Sequence, residues 1–175
     1  VTDEIEDKAE QAGTVAIGEA ARAQSARAVT RLATTEVLRG LTGTEMTKTL
    51  GGGRAVMLLM LALGRGGAAE TVGAIADAAR SMLPTAQALQ FALEEGMVEP
   101  LMARLGEGEP AALAPLLRLA AALGGEAAGR ARLREQGAVW AMGRAAVRAA
   151  GVSQGQPEYA KAAAAMEEAM VALCV

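Results

Sequence analysis

Apolar residues recur along this chain at intervals of three and four, the spacing that places them on one face of an α-helix. The clearest case lies between Gly96 and Leu123. Val98, Leu101, Met102 and Leu105 form one stripe, and Leu113, Leu116, Leu117, Ala120 and Leu123 form a second. Gly106, Gly108 and Pro110 separate them, and Pro110 suits the first turn of the next helix, where its missing N–H is not needed. Neither helix can bury its stripe alone, so each needs a neighbour.

The same reading extends over the rest of the chain. From Glu10 to Leu41 the pattern is helical but polar and alanine-rich, with Val29, Leu32, Val37, Leu38 and Leu41 as its best stripe, and a short helix is expected over Glu45–Leu50. Arg54 to Leu63 is apolar nearly all round, which predicts a central helix. Glu70 to Leu83 follows, with Val72, Ile75, Ala76, Ala79, Met82 and Leu83 inward, and then a short helix carrying Ala88, Leu89, Ala92 and Leu93. Glu126 to Gln136 has Leu133 on its apolar side. From Gly137 onward Val139, Met142, Ala146 and Val147 are expected inward. A Gly/Ser/Gln loop over 151–157 reads as an insertion before a last alanine-rich helix, Glu158 to Val175.

These elements repeat. Gln11-Ala12-Gly13-Thr14-Val15, Gly53-Arg54-Ala55-Val56, Glu95-Gly96-Met97-Val98 and Gln136-Gly137-Ala138-Val139 share a pattern, and their valines recur every 41 or 42 residues. A fixed period of this length is the mark of a helical-repeat architecture, in which stacked units bury what each leaves open. The expected units are 1–50, 51–92, 93–133 and 134–175, forming one domain. The apolar end at Met170–Val175 reads as a break inside a longer protein.

Composition agrees with helix. Aromatic residues make up only 2% of the chain while about a quarter is alanine, which favours helices packed closely and leaves little to build a strand from. The net charge of −3 gives no general attraction to nucleic acid. The single cysteine, Cys174, rules out an internal disulfide framework and fits a reducing compartment. Asp3, Glu4, Glu6 and Asp7 stand where a secretory signal would carry basic residues. The longest strongly apolar run, Ala55 to Leu63, is well short of the roughly 20 residues of a membrane span.

The run from Ala88 to Leu123 resembles an armadillo repeat. Gly96, Val98, Pro100, Leu101 and Leu105 match the G-A-I-P-P-L-V-x-L-L pattern of that family, and Glu168–Val175 is similar to its third-helix run E-A-L-W-A-L-S-N. The resemblance is good from about Glu70 to Val147 and weak before Arg54. It implies an all-α fold, a right-handed α-solenoid of about four armadillo-like repeats, and a eukaryotic setting. It also implies a concave face built from third helices. Peptide-binding members of the family line that face with tryptophan and asparagine, 22 and 26 residues after the glycine. Here Arg118 and Ala122 hold those places in the third unit, Ala76 and Arg80 in the second, Thr35 and Arg39 in the first, and Val171 and Val175 in the last. With no asparagine in the chain the import-receptor function is not expected. Arg39, Arg80 and Arg118 are expected instead to face a groove for an acidic partner segment, since guanidinium groups offer forked donors to carboxylates. The alternative is that they are solvated.

Candidate chemistry is sparse. In the glycine-rich stretch Gly43–Arg54, Thr47 rather than glycine precedes Lys48 and no strand leads in, so it is not a phosphate loop. Gly64-Arg65-Gly66-Gly67 lacks the context of a dinucleotide site. No histidine is present, which removes a histidine base and, with one cysteine, a zinc site. The carboxylate pairs Glu94–Glu95 and Glu167–Glu168 read as solvated faces. Arg130, Arg132, Arg134, Arg144 and Arg148 form a basic cluster, either a solvated surface or a protein-contact edge. Trp140, the one tryptophan, is expected in the core first and as a contact anchor second, and Tyr159 is a weaker contact candidate. The candidate partner-binding residues are thus Arg39, Arg80, Arg118, Trp140 and Arg144. No cofactor, metal, nucleic acid, membrane or small-molecule substrate is expected.

The expected role is a non-enzymatic scaffold or adaptor for other proteins. The alternatives are a regulatory or docking domain of a larger enzyme and a structural part of a large assembly. A cytoplasmic location is expected. An Ala-, Gly- and Arg-rich composition fits GC-rich coding, and in a eukaryotic repeat protein that points to a green alga and a ciliary or cytoskeletal setting.

Overall fold

A computed structural model of the chain describes residues 18–28, 53–83, 86–107, 109–151 and 157–174. All regular structure among them is helical: α1 (residues 18–28), α2 (Gly53–Arg65), α3 (Ala69–Ser81), α4 (Ala86–Glu94), α5 (Val98–Glu107), α6 (Pro110–Gly124), α7 (Ala127–Glu135), α8 (Ala138–Gly151) and α9 (Pro157–Cys174). Eight of these helices, α2 to α9, lie within a few residues of the expected spans, because glycine and proline stop most apolar patterns where they end. Gly66, Gly67, Gly96 and Gly137 take positive φ values at the turns, a conformation that side chains bearing Cβ disfavour. Gly96 and Gly137 stand one period apart and end the two short helices α4 and α7. The expected helix at Glu45–Leu50, Arg39 and the acidic first turn lie outside the described residues.

The helices pack in rows. α6 lies between α3 and α9 and makes its largest contacts with them. α5 lies between α2 and α8, and α4 touches α7. α3 and α6, α4 and α7, and α5 and α8, which begin 40 or 41 residues apart in sequence, are therefore neighbours in space, while α6 and α9 begin 47 apart. α6 is the most enclosed helix. Leu113, Leu116, Leu117, Leu119, Ala120 and Leu123 are all essentially fully buried, leaving only the narrow outward line of Ala111, Pro115, Arg118 and Ala122. α3 crosses it at Gly73, where an added Cβ would stand 3.4 Å from the Pro115 ring.

Two expectations are corrected. α2 is not central: it buries Val56, Leu59 and Leu63 but leaves Leu58 61% and Leu61 56% exposed. Its main described neighbours are α3, α4 and α5, so among the described residues an all-round apolar sequence is covered on one side. α8 is phased differently from the valine pattern. It buries Ala138, Ala141, Met142 and Ala145 and turns Val139, Ala146 and Val147 outward. Alanine faces let helices approach closely, and here α5, α7 and α9 all pack against that face.

Candidate functional site

The basic cluster divides into two parts with different roles. Three of its arginines lie on α7 and reach the carboxyl ends of three other helices. The Arg130 guanidinium donates to the carbonyls of Gly124, at 3.0 Å, and Gly125, at 3.2 Å, at the end of α6. Arg132 donates to the Leu93 carbonyl at the end of α4. Arg134 donates to the Leu173 carbonyl at the end of α9, its Nε at 2.8 Å. The last carbonyls of a helix lack intrahelical donors and carry the negative end of its dipole, so a cation there satisfies both. These three residues join helix ends within the chain, while Arg132 and Arg134 also remain exposed and Arg130 half-buried. The signal was present in their spacing at every second residue on a short helix, but the carbonyls they meet are set by tertiary packing.

Arg144, the fourth described arginine of the cluster, faces away on α8. It sits with Val139, Trp140, Gly143 and Val147 around an open recess of about 510 Å³. Trp140 is 78% exposed and Val147 75% exposed, which corrects the placement of the tryptophan in the core. Trp140 and Arg144 lie one helical turn apart and share this surface. The structure thus brings together two of the five candidate contact residues.

The other candidates are arranged otherwise. Arg80, at the end of α3, is exposed and 4.0 Å from Asp77 one turn earlier. Arg118 is half-buried on the outward line of α6. A shallow groove of about 380 Å³ does run along the α3–α6 crossing, but its lining includes Arg27, Glu70 and Asp77 with Ala74, Ala111 and Pro115. Arg27 pairs with Glu70 at 3.7 Å. The described lining is therefore of mixed sign, with two carboxylates against one arginine. Arg27 was missed because α1 reaches this groove from a part of the chain where the repeat pattern is faint.

No helix among the described residues is long and apolar enough to cross a membrane, and no group of three or more potential ligands there is placed to hold a metal ion. Comparison with family models, with curated proteins and with solved structures returned no match.

Proposed function

We propose that this chain is a non-enzymatic protein-interaction scaffold, a right-handed α-solenoid of about four armadillo-like units working in a cytoplasmic setting, with its docking surface on α8. The solenoid reading draws support from the rows α3–α6–α9 and α2–α5–α8, in which helices roughly one period apart are neighbours. The observation that carries the docking site is the exposed Trp140, flanked by Val139, Arg144 and Val147 around one recess. Leaving a large aromatic in water is unfavourable by itself, and tryptophan and arginine are the residues that most often anchor protein contacts. The mixed charge of the α3–α6 groove makes it the weaker site for an acidic segment.

The test compares partner capture by the wild-type chain, by W140A/R144E and by R80E/R118E. Proteins held by the wild type and by R80E/R118E but released by W140A/R144E are expected. Trp140 is the only tryptophan, so its emission should shift to the blue when a captured partner is added back. Capture that survives W140A/R144E and is lost with R80E/R118E would return the site to Arg80 and Arg118 on α3 and α6.

A further inference from the structure

Some glycines inside the helices of this molecule stand where another helix comes close, while others, such as Gly106 of α5, face open space. A Cβ on Gly73 of α3 would stand 3.6 Å from the Ala111 carbonyl of α6, one on Gly64 of α2 3.7 Å from Pro100 of α5, and one on Gly124 of α6 3.5 Å from Ala172 of α9. Gly143 is in the middle of α8, yet nothing lies within 4 Å of where its Cβ would be. Glycine in a helix interior is unfavourable relative to alanine, and among the described residues no neighbour offsets that here. Val139 and Val147 stand one turn before and after it, so the three form a notch along an exposed apolar line. One period earlier the equivalent residues Val98 and Leu105 are buried on α5, in a row where α8 is a neighbour. On α8 their counterparts Val139 and Ala146 are open.

α9 is open in the same way. Its buried stripe is Ala162, Ala165, Ala169 and Leu173. On the opposite side Ala160, Ala164, Glu167, Val171 and Cys174 are exposed. The two helices carry opposite charge. α8 has Arg144 and Arg148 and no carboxylate, whereas α9 exposes Glu167 and Glu168 against Lys161. Neither Arg144 nor Glu167 has an ion-pair partner among the described residues. The bond from Arg134 to Leu173 brings the end of α9 to the turn that opens α8. With only residues 152–156 between α8 and α9, the two run antiparallel. Trp140 and Val171 then share one level, and Arg144 and Glu167 another, about a turn further along.

Resting on the reading of α8 as a docking face, we infer that the α8–α9 face binds a second copy of this chain. A two-fold axis parallel to the two helices lays α8 of each copy along α9 of the other. That rotation places Trp140 on the partner copy's Val171 level and Arg144 on its Glu167 level, twice in each dimer, and seats a helix against the Gly143 notch. Like would not meet like: α8 on α8 would oppose two arginine-bearing helices. Two helices of about 21 and 27 Å side by side present a face near the small end of specific interfaces, so association is expected in the micromolar range.

Sedimentation equilibrium of the whole chain across micromolar concentrations tests this. The wild type should pass from monomer to dimer. R144E and E167R should each weaken association by about tenfold or more, because each makes both contacts of its own homodimer repulsive. An equal mixture of the two variants should restore it, since in the mixed dimer both contacts pair opposite charges again. Both substitutions are on exposed helix surface, and unchanged thermal unfolding of each variant keeps loss of folding from imitating the result. A wild type that stays monomeric throughout overturns the second copy while leaving α8 open to a different protein. A dimer that ignores both variants, or a mixture that fails to recover, overturns the face.

Discussion

Gly129 sets how closely α7 can lie against the end of α6, and replacing it with alanine is the most direct probe of the packing. A Cβ built on Gly129 overlaps the Leu123 carbonyl oxygen and stands 2.9 Å from the carbonyl carbon, with the Leu93 methyl at 3.4 Å. The obstacle is backbone, held on its far side by the buried α6, so it cannot rotate away. To clear it, α7 must retreat by about 1 Å, a gap that forfeits a good part of the dispersion contact along its length. Overpacking of this kind costs about 3 kcal/mol, the upper end of the usual range. Retreat also stretches the Arg130 bonds to Gly124 and Gly125, adding about 1 kcal/mol. Alanine's better helix propensity returns at most about 1 kcal/mol. The net loss is roughly 3 kcal/mol, which in a chain of this size lowers Tm by about 6–12 °C. The assay is urea and thermal unfolding followed by helical circular dichroism, at a concentration where the protein is monomeric. Gly143→Ala is the paired control. With open space around it, it should raise stability by up to about 1 kcal/mol. A Gly129→Ala variant as stable as the wild type would refute the close approach of α7 to α6.

Two further substitutions check how the helices are held. Arg134→Met removes the donors to the Leu173 carbonyl and should cost about 1 kcal/mol, with faster amide hydrogen exchange confined to the last turn of α9. Arg132→Met should instead loosen the end of α4, through Leu93, and leave α9 protected; equal effects on both ends would sink the assignment. Leu119→Ala on the enclosed α6 should cost about 2–5 kcal/mol, whereas Leu61→Ala on the exposed side of α2 should stay within about 0.5 kcal/mol. Denaturant midpoints of the two variants, compared directly, decide that contrast.

Helices and their limits were legible in the chain because each apolar stripe is closed by a residue with a backbone reason to close it. Gly96 and Gly137 end short helices in a conformation alanine disfavours, and Pro110 opens α6 where no amide is required. The helices α3 and α6, which begin 41 residues apart, lie in contact, and α9 packs on the other side of α6 from 47 residues further on. Which side of a helix is covered was less legible. The apolar residues of α2 and the valines of α8 have the periodicity of a core face, yet hydrophobicity along a sequence records only what a residue prefers. Whether Leu58, Val147 or Trp140 meets a neighbour depends on whether another helix occupies that side, and among the described residues none covers them.

The arginines show the same division more sharply. Arg130, Arg132 and Arg134 looked like a patch on one short helix because charge was the only property visible. Their partners are uncharged carbonyls at the ends of α6, α4 and α9, brought together from positions up to 39 residues away. A helix end acquires its electrostatic character only when the helix forms, and it becomes a partner only when packing brings it within reach. Local sequence therefore determined where the chain would coil and with what period. Tertiary structure decided which faces are closed, which arginines are already engaged, and that Trp140 and Arg144 remain outward on one surface.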